Sequence, residues 1–167
     1  VWGSDGWLRT VDGDGVPSIE VEAPGVAAQV DSHSPPRENF DGAQLPIDFQ
    51  WLRSPWPDEL FSLTERRGFL RLHGGETVGS LFKQALVARR EQSHCYGAST
   101  IVEFEPRHFQ QMAGLACYYN CAKFHYFYLS RDDDGPHLRV MSSLPDQVTA
   151  DAFTAPIRIP DGATIEM

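Results

Sequence analysis

The sequence predicts an all-β fold, a jelly-roll-like β-sandwich beginning near residue 40, and three observations carry that expectation. From Phe40 onward the chain runs in short apolar stretches of strand length punctuated by turns. In the clearest stretch Thr100, Val102 and Phe104 alternate with Ile101, Glu103 and Glu105, which sends one face to a core and the other mostly to solvent. The length of 167 residues, with 41% hydrophobic and 22% charged residues, suits one soluble domain with a sizeable core.

Taken in order, the chain opens with two short strand-like runs, Trp7-Leu8-Arg9 and Ile19-Glu20-Val21, around the turn-rich Asp12-Gly13-Asp14-Gly15. Trp2 and Trp7 have too little chain around them to pack against. Residues 23–39 supply Pro24, Gly25, Ser32, Ser34, Pro35 and Pro36 with hardly any apolar periodicity, a linker composition that places a domain boundary there. Val78, Leu81, Phe82, Ala85 and Leu86 fit a helical spacing, although Gly79 inside that helix costs about 1 kcal/mol relative to alanine. Pro106 ends the strand over residues 100–105. Residues 112–119 and 124–129 predict a hairpin around Asn120-Cys121-Ala122-Lys123, and Asp132-Asp133-Asp134-Gly135-Pro136 predicts a turn into residues 137–141.

With 14 basic against 23 acidic residues the net charge is -9, which repels phosphate backbones and anionic membrane surfaces; nucleic acid and membrane are therefore not expected partners. The most apolar window, residues 113–129, is interrupted by Asn120, Lys123 and His125, short of the ~20 residues of a transmembrane helix. Cys95, Cys117 and Cys121 are too few for a disulfide framework. Free thiols in a reducing, cytoplasmic compartment are the simpler reading. His94, Cys95, Cys117, Cys121 and His125 contain no C-x2-C or H-x3-H knuckle, so no metal site is expected. The chain opens at Val1 without an initiator methionine, which suggests a start within a longer protein and leaves a secretion signal unread.

The run Phe49-Gln50-Trp51-Leu52-Arg53 is followed by Phe61-Ser62-Leu63-Thr64-Glu65-Arg66 and Gly68-Phe69-Leu70-Arg71-Leu72. Ser80-Leu81-Phe82-Lys83-Gln84-Ala85-Leu86-Val87-Ala88-Arg89-Arg90 and Ala113-Gly114-Leu115-Ala116-Cys117-Tyr118-Tyr119-Asn120 come next. Over residues 40–142 this series resembles the C-terminal, concanavalin-like β-sandwich of glycoside hydrolase family 43 β-xylosidases. The resemblance implies that residues 1–22 are the tail of an N-terminal five-bladed propeller, residues 23–39 the linker, and residues 40–167 the accessory sandwich, incomplete at its C-terminus. It also implies a loop or single helical turn and then a strand over residues 84–90. The parent protein is expected to be an exo-acting, inverting β-xylosidase with α-L-arabinofuranosidase side activity, acting on xylo-oligosaccharides without a cofactor. In that family the catalytic base, the acid and the carboxylate tuning the acid come from the propeller, and none maps onto this chain. The expected partners are the propeller of the same polypeptide and, through it, the xylo-oligosaccharide; a homo-oligomer is left open. The family's loop that narrows the active-site mouth lies beyond Ile165-Glu166-Met167, where the resemblance runs out.

Glycoside hydrolysis needs two carboxyl groups about 5 to 9.5 Å apart. Glu103 and Glu105 share a strand face at about 7 Å, yet alternating carboxylates on a solvated face look the same. Glu65 within Thr64-Glu65-Arg66-Arg67 suits pairing with arginine or exposure to solvent. Asp132-Asp133-Asp134-Gly135 resembles the acidic half of a calcium loop, but no downstream glutamate completes it, which favours a hairpin turn. Among Tyr118, Tyr119, Phe124, Tyr126, Phe127 and Tyr128, the candidates for a sugar platform are Tyr126 and Tyr128, against the alternative that these rings fill the core. No G-x-S-x-G elbow occurs, and Glu76 after Gly74-Gly75 opposes a phosphate. No catalytic constellation is assigned within the chain. A stand-alone carbohydrate-binding module and a purely structural docking domain remain the alternative functions.

Overall fold

The computed structural model describes residues 2–10, 15–17, 37–144 and 152–167. The chain divides into two compact units, Val1–Arg37 and Glu38–Met167. In the first, the run expected as a strand at Trp7-Leu8-Arg9 is a single antiparallel bridge between Leu8 and Trp2. It is closed by the Gly3 N–H to Trp7 carbonyl bond of 2.7 Å and by Gly6 at φ +80°. The other expected strand, at Ile19-Glu20-Val21, lies outside the described residues, as do Asp12-Gly13-Asp14 and most of the expected linker.

The second unit is all-β apart from one 3-10 turn at Pro57–Glu59. Its strands are β1 Phe49–Trp51, β2 Phe61–Ser62, β3 Arg71–Leu72, β4 Val87–Arg89, β5 Ile101–Val102 and β6 Ala113–Asn120. They continue as β7 Lys123–Asp132, β8 Gly135–Ser143, β9 Ala152–Phe153, β10 Ile157–Arg158 and β11 Ile165–Glu166. A five-stranded sheet runs β10-β8-β7-β6, with β9 also paired to β8; β1 pairs β4, β2 pairs β3 and β5 pairs β11. Every pairing between these strands is antiparallel.

Turn chemistry sets the long β6–β7–β8 meander. Asn120 pairs with Lys123 around a two-residue connection, and the Asn120 Oδ1 accepts the Ala122 N–H at 2.9 Å. At the next turn the Asp132 carboxylate accepts the Asp134 N–H at 3.1 Å, and Gly135 takes φ +115°, a backbone state that disfavours a Cβ. The resulting register puts Phe124, Tyr126 and Tyr128 on one face of β7, with Tyr118 of β6 and Met141 of β8 beside them. Phe124, Tyr128 and Met141 are buried there, and Val78, Met112, Tyr118 and Tyr126 pack against them. Gly114 permits the tight β6–β7 contact, since a Cβ at that position would sit 2.0 Å from the Phe127 carbonyl oxygen. The opposite face carries Leu115, Phe127, Leu129 and Val140, so the sheet presents apolar side chains on both sides.

The helical spacing over residues 78–86 does not produce a helix. Residues 78–79 form a turn, and the chain straightens into β4. The reason is Gln84, only 2% exposed, whose amide donates to the Val78 carbonyl at 3.0 Å and to the Ser80 carbonyl while its Oε1 accepts from Arg53 at 3.1 Å. Those side-chain bonds satisfy carbonyls that a helix would have satisfied through its backbone. At β5, regular pairing covers two residues rather than the six of the alternating run, and the ladder to the C-terminal strand is extended by reciprocal Thr100–Met167 backbone bonds of 2.9 Å.

Candidate functional site

Of the acidic residues singled out in the sequence, Glu65, Glu103 and Asp132 lie in separate charge pairs. Glu103 is gripped by Arg66, with one contact at 3.2 Å and a second shorter one, while the Arg66 guanidinium lies 3.6 Å above the Phe69 ring. The hydrogen bond from Arg66 holds the Glu103 carboxyl below the usual carboxylate range. Glu105, two residues on, makes no hydrogen bond or ion pair among the described residues. The two carboxylates thus both lie just past β5 but do not share an environment. Glu65 faces the His73 ring at 3.0 Å and the Arg71 guanidinium at 3.5 Å, across the β2–β3 pair.

The acidic hairpin between β7 and β8 is occupied by a guanidinium. Arg158 from β10 donates to both Asp132 oxygens, at 2.5 and 3.0 Å, and reaches Asp134 at 3.3 Å. This bidentate bond holds Asp132 below the usual carboxylate range. Arg158 therefore takes the position that a cation would need. Among the described residues no three His, Cys, Asp or Glu side chains converge as a metal-binding group.

A general acid for glycoside cleavage needs a carboxyl held above its ordinary range. Among the described residues the carboxyls with displaced titration, Glu76, Glu103 and Asp132, all move down, each for the hydrogen bonds it accepts. Their chemistry is that of structural anions.

Tyr126 and Tyr128, the sugar-platform candidates, lie in the aromatic cluster with ring centroids 5.3 Å apart. Tyr128 is 4% exposed, and burial raises the phenol pKa of both residues. Tyr119 of β6 is 79% exposed, with Lys123 over its ring.

Two arrangements left no readable trace in the sequence. One is the Arg53–Gln84–Tyr118 chain, in which the Gln84 amide also lies 3.2 Å from the Tyr118 hydroxyl. The other links the exposed Cys117 thiol to Tyr96 at 3.4 Å, with the Tyr96 hydroxyl donating to Glu91 at 2.8 Å. These contacts, to Cys117 first and then Glu91, raise the Tyr96 pKa. Both join residues remote in sequence, so periodicity carries no signal of them.

The fold and the disposition of its acids define a concanavalin-like β-sandwich of accessory type. The chain belongs to the family of β-xylosidase C-terminal concanavalin A-like domains of glycoside hydrolase family 43, whose model matches residues 37–166. It is 42% identical over 132 residues to a β-xylosidase of Bacillus subtilis (strain 168), covering 78% of this chain and 24% of that protein. A xylosidase/arabinosidase of Humicola insolens is 40% identical over 143 residues, covering 85% of this chain and 26% of its own length. Among solved structures, the xylan β-1,4-xylosidase from Bacillus halodurans C-125 superposes with a TM-score of 0.86 at 33% identity, over 99% of this chain and 32% of that one. The chain thus spans between about a quarter and a third of the length of the relatives it matches.

Proposed function

We propose that this chain is the accessory domain of an exo-acting, inverting β-xylosidase, and that it serves a catalytic propeller in the same polypeptide by packing against it. The observation that carries the reading is the combination of coverage and chemistry. The chain matches β-xylosidases over a minor share of their length, and its described carboxyls are paired or exposed rather than poised as an acid and base. Residues 1–22 are then the tail of the propeller and residues 23–39 the linker. Arabinofuranosidase side activity of the parent enzyme is supported by the likeness to the xylosidase/arabinosidase of Humicola insolens.

An apolar patch supports the docking role. Trp56, Leu81 and Phe82 stand 62, 58 and 72% exposed, and the Lys83–Glu59 ion pair of 2.8 Å draws their two segments together. Large exposed apolar groups of this kind mark surfaces that a partner covers. The burial of Tyr126 and Tyr128 supports a core role for those rings. The test is the coding sequence on either side of this stretch. An upstream propeller with three active-site acids is the expected result; an unrelated module in its place would overturn the proposal.

A further inference from the structure

We infer that the Arg90–Glu91 peptide bond is a processing site for an arginine-specific, trypsin-like endopeptidase, and that the cut chain stays together as a two-piece complex. Residues 88–99 are all exposed, and no strand or hydrogen-bonded turn occurs over residues 90–100. Among the described residues no backbone group of residues 91–99 bonds to backbone elsewhere, and the loop's one hydrogen bond to the sheet is the 3.4 Å contact of the Tyr96 hydroxyl with Cys117. An endopeptidase takes its substrate as an extended strand added to its own. Val87–Arg89 is already extended as β4, and β4 pairs with β1 alone, so its other edge is open.

Arg90 supplies the residue that such an enzyme reads. It is exposed and has no side-chain partner among the described residues, so it is free to enter an acidic specificity pocket. Arg89 beside it is held by Asp48 and lies 5.3 Å from the Phe49 ring. The other adjacent arginines, Arg66 and Arg67, sit in a loop closed by the Phe69 N–H to Arg66 carbonyl bond of 3.2 Å and by the Ser62 hydroxyl, which accepts the Thr64 and Glu65 N–H groups. That loop cannot straighten without breaking those bonds.

The strand pairings explain why the pieces remain associated. Those of the second unit lie wholly before the Arg90–Glu91 bond, as β1–β4 and β2–β3, or wholly after it, as β5–β11 and the five-stranded sheet. The two halves meet through side chains: Val78 packs on the Phe124, Tyr128 and Met141 cluster, the Gln84 amide approaches the Tyr118 hydroxyl at 3.2 Å, and Arg66 grips Glu103. Hydrolysis adds one water across the bond, leaving a carboxylate on Arg90 and an amine on Glu91, and it breaks none of these contacts. The inference is independent of the accessory role, since it concerns a bond within the sandwich unit and not what that unit serves.

The experiment is limited digestion of the 167-residue chain with trypsin, read by mass spectrometry of the pieces and by size-exclusion chromatography without denaturant. Within residues 38–167 the first cut is expected after Arg90, with both pieces eluting together at the volume of the uncut chain. Arg90→Gln, at an exposed position, should slow cleavage of the loop by about tenfold or more while the thermal midpoint stays unchanged. Gln84→Leu should raise the dissociation constant of the two pieces by about tenfold. A first cut elsewhere in residues 38–167, an unchanged rate in the Arg90 variant, or pieces that separate as soon as the wild-type chain is cut would each overturn the inference.

Discussion

The Gln84 side chain holds the loop before β4 in place, so its loss should be felt well beyond one contact. Gln84→Leu leaves the partly buried Val78 and Ser80 carbonyls without their donor, which costs about 1 kcal/mol or more. The urea midpoint should fall accordingly while the slope stays constant. Gly114→Ala forces a Cβ into the Phe127 backbone and should cost about 1–3 kcal/mol or more, read by the same denaturation. Asp132 supplies a pH-dependent effect. Arg158 depresses its folded-state pKa, so the pair's contribution is present above the ordinary carboxylate pKa and is lost as pH falls through the depressed value. Arg158→Met should therefore flatten the decline of stability from about pH 5 downward, while a parallel curve would show that the ion pair carries no such linkage. None of these roles was legible at the residue level in the sequence. The charge pairs of Glu103 and Asp132 join positions remote along the chain, whereas composition shows only that acids are numerous.

At the scale of elements, the β6–β7–β8 meander was legible because two local signals agree there: apolar stretches of strand length and turn residues with a definite job, Asn120 and Gly135. The segment over residues 78–86 misleads for the converse reason. Its apolar spacing is helical, but a side chain, Gln84, outcompetes the helical backbone bonds; the family resemblance, with the cost of Gly79 in a helix, anticipated the strand that follows. Pairings such as β5 with β11 and β1 with β4 join distant segments and had no local trace. Native-state hydrogen exchange should reflect this division. The amides of β7, flanked on both sides, should be the slowest, and the two-residue pairs β2–β3 and β5–β11 should exchange far faster. Comparable protection in all strands would contradict a molecule organised around one long meander.

For the molecule as a whole, the sandwich and its family were readable from the sequence, and the role of the exposed surface was not, because exposure is a property of the fold. Trp56 and Phe82 are large apolar side chains yet stand in solvent. Trp56→Ser with Phe82→Ser should change the stability of the chain by no more than about 0.5 kcal/mol each, as surface substitutions do, and should reduce self-association in sedimentation velocity. A large loss of stability would instead place those side chains in a core. The central claim is that no two carboxyls among the described residues are poised as an acid–base pair for glycoside cleavage. The most direct measurement is hydrolysis of p-nitrophenyl β-xyloside by the purified 167-residue chain. The account predicts no turnover above the uncatalysed reaction. Turnover that survives repurification and disappears on Glu103→Gln or Glu105→Gln would contradict it.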